Sequence, residues 1–256
     1  MRPPIIRDLK NKLDLRYKEF SCSQALVNEF IAHDPVQFPR RYTNRTDIEI
    51  AAILAATIAW GRRDLILRSA EKMFSLLEPG PAAFVMAGNF RKLKDRCIHR
   101  TFFEDDLKYF CRGFRHCYAK YGNLEKLFCH DFSGREADIW QGILLFREEM
   151  AAANGGQYTK HIASPGANSA CKRINLALRW LVRKGPVDLH LWKNIPSSAL
   201  YIPLDVHVAR NARRLGLLER KSNDKKAVLE LTGKLQAFCP EDPVKYDFVL
   251  FGKHEN

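Results

Sequence analysis

The residues with the clearest chemical potential lie in the run Tyr201–Leu218, YIPLDVHVARNARRLGLL. Pro203 lacks the N–H that a first helical turn leaves unpaired, and Asp205 puts a carboxylate beside the positive end of the next helix. A carboxylate there either caps backbone N–H groups or faces a reacting centre. Leu204, Val208, Ala212 and Leu215 recur at helical spacing as an apolar stripe, His207, Arg210, Asn211 and Arg214 fall on another side, and Gly216 is a stop signal. The spacing predicts a helix with one packed face and one basic face, and Asp205 at its mouth.

The run Pro203-Leu204-Asp205-Val206-His207-Val208, followed by Arg210, resembles the segment of helix-hairpin-helix DNA glycosylases that carries their essential aspartate, written P-[VL]-D-[TV]-H-V-x-R. The chain is more similar still to an uncharacterised bacterial family, catalogued as a domain of unknown function. That family carries the motifs SACKRINxxLRW, PLDVHV and DPVKYDFxLFG, matched here by Ser169–Trp180, Pro203–Val208 and Asp242–Gly252. This likeness runs from about Arg41 to Gly252 and names no activity by itself.

Upstream, Ser164-Pro165-Gly166-Ala167-Asn168-Ser169-Ala170-Cys171 places a Pro-Gly turn before a helix that is expected to run to about Lys184. Backbone N–H groups at such a turn can hold a DNA phosphate without reading sequence, so Pro165, Gly166, Asn168, Ser169 and Arg173 are candidate backbone contacts. The segment resembles a degenerate form of the glycosylase hairpin L-P-G-V-G-x-x-T-A. Its second glycine is replaced by Asn168, and Lys172 lies two positions beyond the place of the usual lysine.

Lys172 is the candidate nucleophile that this resemblance implies. An amine attacks only when unprotonated, a state that burial or a neighbouring cation favours, and Arg173 is adjacent. The alternative is a surface lysine on a basic helix. Lys172 and Asp205 stand 33 residues apart in the sequence. Most hairpin glycosylases have a shorter separation, whereas the archaeal 8-oxoguanine glycosylase branch has a longer one, to which this chain is similar. Lys184 is the reserve nucleophile.

In the glycosylases the residues after a buried helix enter the duplex where a base has been extruded, and here Trp60, Arg62 and Arg63 take that place. An indole and two guanidinium groups suit stacking on bases and holding phosphates. Equally, Trp60 closes a core.

The elements that must position these groups are helices. Thr46 and Glu49 have capping-box spacing and open Ile48–Trp60, apolar nearly all round and so expected at the centre of a lobe, with Asp64 as the cap of the next helix. Helical spacing also marks Ile5–Tyr17 (with Leu9, Leu13 and Leu15), Cys22–Ala32, Pro81–Met86, Leu107–Tyr121, Leu124–Phe132, Glu136–Glu149, Asp224–Phe238 and Val244–Phe251. The adjacent acids Glu104, Asp105 and Asp106 read as a helix start, since neighbours in sequence do not share a helix face. Residues 253–256 read as a frayed end, and no sustained strand alternation is present. The expectation is an all-α chain with the two-lobed helix-hairpin-helix glycosylase-like architecture and a basic cleft. One lobe would be residues 46–183, and the other residues 1–45 with 184–256.

Composition bounds the partners. Forty-two Lys and Arg against 29 Asp and Glu give a net charge of +13, which favours a polyanion through phosphate neutralisation. An anionic membrane surface competes, but no stretch resembles a basic amphipathic anchor, and Ile48–Trp60 is shorter than the roughly 20 residues of a span. Seven cysteines without close pairs predict free thiols, no iron–sulfur or zinc site and a reducing cytoplasm. The N-terminus lacks the apolar core of a signal peptide.

Taken together, the resemblance implies a base-excision repair enzyme, a monomer without metal or cofactor, acting in the cytoplasm and on the nucleoid. It would remove an oxidised base such as 8-oxoguanine from double-stranded DNA, with AP-lyase activity. A non-catalytic DNA- or RNA-binding protein on the same scaffold is the other reading, because charge does not distinguish the two nucleic acids.

Overall fold

The computed structural model of the chain describes residues 3–130 and 138–252, with the backbone alone for residues 3–6. It is mostly helical, and its contacts divide it into two compact units: Ile31–Ser164, and Met1–Phe30 together with Pro165–Asn256. Among the described residues all seven cysteines are free and no helix is long and apolar enough to cross a membrane.

Two helices open the chain, α1 (Pro3–Cys22) and α2 (Gln24–Ala32). Leu13 and Val27 are buried, whereas Leu15, which the spacing placed with them, is exposed. The side chains of Ile5 and Ile6 lie outside the described residues.

The unit Ile31–Ser164 is built on α3 (Arg45–Thr57), which is buried continuously from Glu49 to Thr57, as its all-round apolar sequence requires. Its cap differs from the expected one. Asn44 Oδ1 accepts from the N–H groups of Thr46 (2.8 Å) and Asp47 (3.4 Å). Glu49 instead points inward, where the Arg45 guanidinium, Tyr118 hydroxyl and Leu124 N–H all donate to it. A buried carboxylate with three donors is satisfied, so capping would be the poorer use of it.

Next come α4 (Arg63–Ser75), with Arg62 rather than Asp64 at the cap, and α5 (Pro81–Met86). Strands β1 (Cys97–His99) and β2 (Phe102–Phe103) form a small antiparallel pair, too short to show an alternation in sequence. The acids Glu104, Asp105 and Asp106 fill the first turn of α6 (Glu104–Tyr121), where Asp106 accepts from Phe103 N–H at 2.9 Å. Helices α7 (Leu124–Phe128) and α8 (Ile139–Ala152) complete the unit. The expected helical residues 131, 132, 136 and 137 lie outside the described residues. Tyr109, Phe110, Phe114 and Tyr118 are buried, as their spacing predicts.

Glu149 of α8 accepts from Lys120, His116 and Tyr121 at 2.6–2.8 Å. Burial opposes its ionisation, but these three donors outweigh it and hold the carboxyl down at about 2. Its folded value therefore lies below its unfolded one, so the stability it contributes is present above the ordinary Glu range and is lost as pH falls from about 4.5 towards 2. Glu149→Gln should cost about 2 kcal/mol at pH 7, discounting for partly exposed partners, and almost nothing near pH 2. Urea titrations at the two pH values measure the difference; an equal cost at both would reject the ionic account.

The remaining helices are α9 (Lys172–Val182), α10 (Val206–Arg214), α11 (Lys225–Phe238) and α12 (Asp247–Phe251). They group with the N-terminal residues 1–30, so the units divide at 30/31, inside α2, and at 164/165, where the sequence expectation placed the divisions at 45/46 and 183/184. The chain leaving α9 returns along it: Leu189 N–H donates to Trp180 O at 2.7 Å and Trp192 N–H to Leu181 O at 2.8 Å. Those bonds tie α9 to the segment that leads on towards α10. On α12, Phe248 packs against Phe20 (5.2 Å), Phe30 (5.4 Å) and Tyr17 (6.3 Å). Its role is therefore core.

Candidate functional site

Asp205 is the N-cap of α10, in extended backbone, and its Oδ1 accepts from the N–H groups of His207 and Val208, both at 2.8 Å. One carboxylate oxygen is thus committed to the helix. The other, Oδ2, lies 3.7 Å from Lys172 Nζ, at ion-pair rather than hydrogen-bond range. The Asp205 side chain is only 10% exposed and that of Lys172 31%, so the carboxylate is nearly enclosed while the amine remains reachable. The two oxygens of Asp205 thus have different surroundings: one caps α10 and the other faces the Lys172 amine.

The approach to Lys172 has an unusual backbone. Pro165–Ala167 forms a short 3-10 turn, after which Asn168 has φ 57 and Cys171, the cap of α9, has φ 46. Both lie in the left-handed region, costing a residue with a Cβ about 1–2 kcal/mol, with Asn among the more tolerant. Asn168 takes up this conformation at the turn that leads to Lys172. It is also anchored: its Nδ2 donates to Asp224 Oδ2 at 3.1 Å and its carbonyl accepts from Lys225 N–H at 3.0 Å. Ser169 Oγ accepts from Cys171 N–H at 3.2 Å, fixing the last turn before Lys172. Arg173 is half-buried, and burial lowers its pKa.

On α10, His207 and Arg210 are exposed one turn beyond Asp205; the His207 ring meets Phe251 edge-on at 6.1 Å, and Arg210 Nη2 donates to His207 Nδ1 at 3.4 Å. Asn211 departs from the expected basic face. It is buried, donating through Nδ2 to Leu250 O (2.7 Å) and Gly252 O (3.2 Å), and Ala209 joins Val208 and Ala212 on the packed face. The helix ends as predicted, with Gly216 at φ 69. Lys184 is exposed just past the end of α9.

The base-stacking candidates lie in the other unit. Trp60 is half-buried, its ring against His99 (4.7 Å) and His161 (5.9 Å), and its carbonyl accepts from His99 Nε2 at 2.9 Å. Arg62 is exposed and paired with Asp64 at 2.8 Å, and Arg63 begins α4.

Sequence reasoning missed the charged layer behind the site. Arg179 Nε donates to Asp188 at 3.2 Å, Arg179 Nη1 pairs with Asp247, and Arg183 donates to Asp188 (2.8 Å), Asp242 (2.9 Å) and the Tyr17 hydroxyl. Asp247 is fully enclosed and its Oδ1 has no hydrogen-bond partner. Burial pushes its carboxyl up to about 6; Arg179 opposes the rise, while the charges of Asp205 and Asp188 add to it. The available signal was an acid inside the otherwise apolar run Tyr246–Phe251. No group of three or more His, Cys, Asp or Glu residues among the described ones has metal-binding geometry.

A family model described as a protein of unknown function (DUF2400) matches residues 34–255. No curated protein and no solved structure matches the chain.

Proposed function

The chain belongs to this uncharacterised family, whose description assigns no activity, and from its own residues we propose that it is a DNA base-excision glycosylase with AP-lyase activity. The observation that carries the reading is the approach of Lys172 Nζ to Asp205 Oδ2 at 3.7 Å, with Asp205 held by two backbone N–H groups. Two residues picked out by the resemblance, 33 positions apart in sequence, face each other. The net charge of +13 and the left-handed turn at Asn168 support it.

In the reaction the damaged base, such as 8-oxoguanine, leaves the duplex stack. Lys172 Nζ, having given up a proton, attacks C1′ as the glycosidic C–N bond breaks, and the base departs with its electron pair and takes up a proton. Asp205 assists the proton transfer and supports positive charge developing on the sugar. The sugar ring opens to an imine, and loss of a C2′ proton expels the 3′ phosphate by β-elimination. Pro165, Gly166, Asn168, Ser169, Arg173, His207 and Arg210 serve the phosphate backbone, while Trp60, Arg62 and Arg63 fill the gap in the stack. The protein acts as a monomer in the cytoplasm, associating with the nucleoid.

The test is borohydride trapping of the full chain on duplexes carrying 8-oxoguanine or an abasic site, since hydride reduces the imine to a stable amine. A covalent adduct on either duplex supports the reading. Binding of both duplexes with no adduct on either overturns the lyase step and leaves a glycosylase that works through Asp205 alone, or a binding protein.

A further inference from the structure

On α6, Lys108, Arg112 and Arg115 stand four and three residues apart and so share one helical face. With Arg91 and His116 they line an open surface groove of about 520 Å³ within the unit Ile31–Ser164, a volume ordinary for small-ligand sites. Its other lining residues, Phe90, Ala119 and Ala153, are apolar.

Cations gathered round one groove repel each other unless something compensates them. Lys108 pairs with Asp105 at 3.1 Å, and His116 shares a hydrogen bond with Glu149 at 2.6 Å. Arg91, Arg112 and Arg115 have no carboxylate within ion-pair range among the described residues. Arg112 is nevertheless held in place. Asn154 Nδ2 donates to Tyr109 O (3.1 Å) and Met150 O (2.8 Å), which fixes the amide and turns its oxygen towards Arg112 Nε at 2.6 Å. A neutral partner on Nε orients the guanidinium without cancelling its charge. Both η nitrogens remain for a bidentate anion. Arg115 Nη1 lies beside Gly88, within 3.4 Å of where a side chain on that residue would begin, and Gly88, at φ 74, leads into the turn that carries Arg91. Arg112 and Arg115 thus come from α6 and Arg91 from the 3-10 turn Asn89–Lys92.

We propose that this groove binds the phosphate of a mononucleotide-sized ligand, the anion on Arg91, Arg112 and Arg115 and the flat apolar part of the ligand beside Phe90, Ala119 and Ala153. The bounded volume of the groove and its apolar lining residues suit one such ligand. The site is separate from Lys172 and Asp205 in its chemistry and in its unit.

Calorimetric titration of the full chain with AMP, adenosine and inorganic phosphate tests this. AMP should bind, phosphate more weakly, and adenosine at least tenfold more weakly than AMP. Arg112→Gln with Arg115→Gln should weaken AMP at least tenfold, whereas Lys172→Gln should leave it unchanged. Arg112→Lys keeps the charge, loses the fork and should still weaken AMP severalfold, which covers the case in which the double variant does not fold. Equal affinity for AMP and adenosine, or undiminished AMP binding in the variants, overturns the proposal. So does an absence of AMP binding accompanied by a tenfold loss of duplex-DNA affinity in the double variant. That result would assign the patch to a nucleic-acid backbone and leave the Lys172 reading intact.

Discussion

Lys172→Gln should abolish the borohydride adduct of the proposed reaction, and Asp205→Asn should lower base release by about 10²–10⁴-fold, the range of a lost acid–base group, with little change in melting temperature. The two effects separate because Asp205 divides its oxygens. Oδ1 accepts from His207 and Val208 N–H, and the amide oxygen of Asn caps a helix about as well as a carboxylate does. Oδ2 faces Lys172 at 3.7 Å, and Asn removes the charge there. Asp205→Ala would lose both functions, adding about 0.5–2 kcal/mol of destabilisation for the missing cap. If Asp205 only caps, Asp205→Asn is silent in a single-turnover excision assay, and the proposed chemistry fails with it. Persistent trapping in Lys172→Gln would move the nucleophile elsewhere, with Lys184 the first to test.

How much of this was legible depends on the range over which each signal acts. The α10 start was readable because Pro203, Asp205 and Gly216 act locally, through missing donors, capping and left-handed backbone. The buried course of α3 was readable because apolar residues surround it on every side. The cap of α3 was not: Thr46 and Glu49 have the right spacing, but Glu49 is claimed by Arg45, Tyr118 and Leu124, the last two about seventy positions away. Asn211 was placed on a basic face by helical phase, yet the carbonyls of Leu250 and Gly252 draw it inward. The two short strands carry too few residues to display a period. The departure of Asn168 from the hairpin glycine looked like a defect in the pattern. Its φ of 57 is a backbone conformation that Asn tolerates better than most other residues with a side chain, so the side chain is no obstacle to a turn there.

Arg179→Met should destabilise the chain by about 3–5 kcal/mol, the range for breaking a buried pair, because it strands a buried carboxylate. Asp188 keeps Arg183 at 2.8 Å, but Asp247 loses the one cation to which it is bonded, and its Oδ1 is already without a partner. The substitution also removes a guanidinium that sits 4.3 Å from the centre of the Phe248 ring, although the Met side chain restores part of that packing. Protonation should moderate the loss. Burial already lifts Asp247 to about 6, above its unfolded value of 3.8, so ionising it costs stability as pH rises through about 6. Without Arg179 that cost increases, and denaturant titrations should find the variant weakest near pH 8 and partly recovered near pH 5. Adding Asp247→Leu should restore most of the loss at pH 8, since an apolar pair of similar volume replaces a buried charge. A penalty independent of pH and unrelieved by Asp247→Leu would mean that Arg179 stabilises the chain through packing on Phe248 rather than through charge. In the proposed reaction the Arg179→Met, Asp247→Leu combination also asks whether Asp205 needs a second carboxylate behind it. An excision rate that recovers along with stability would make Asp247 a structural group, and a rate that stays low in a stable variant would make it a positioning residue for the Lys172–Asp205 pair.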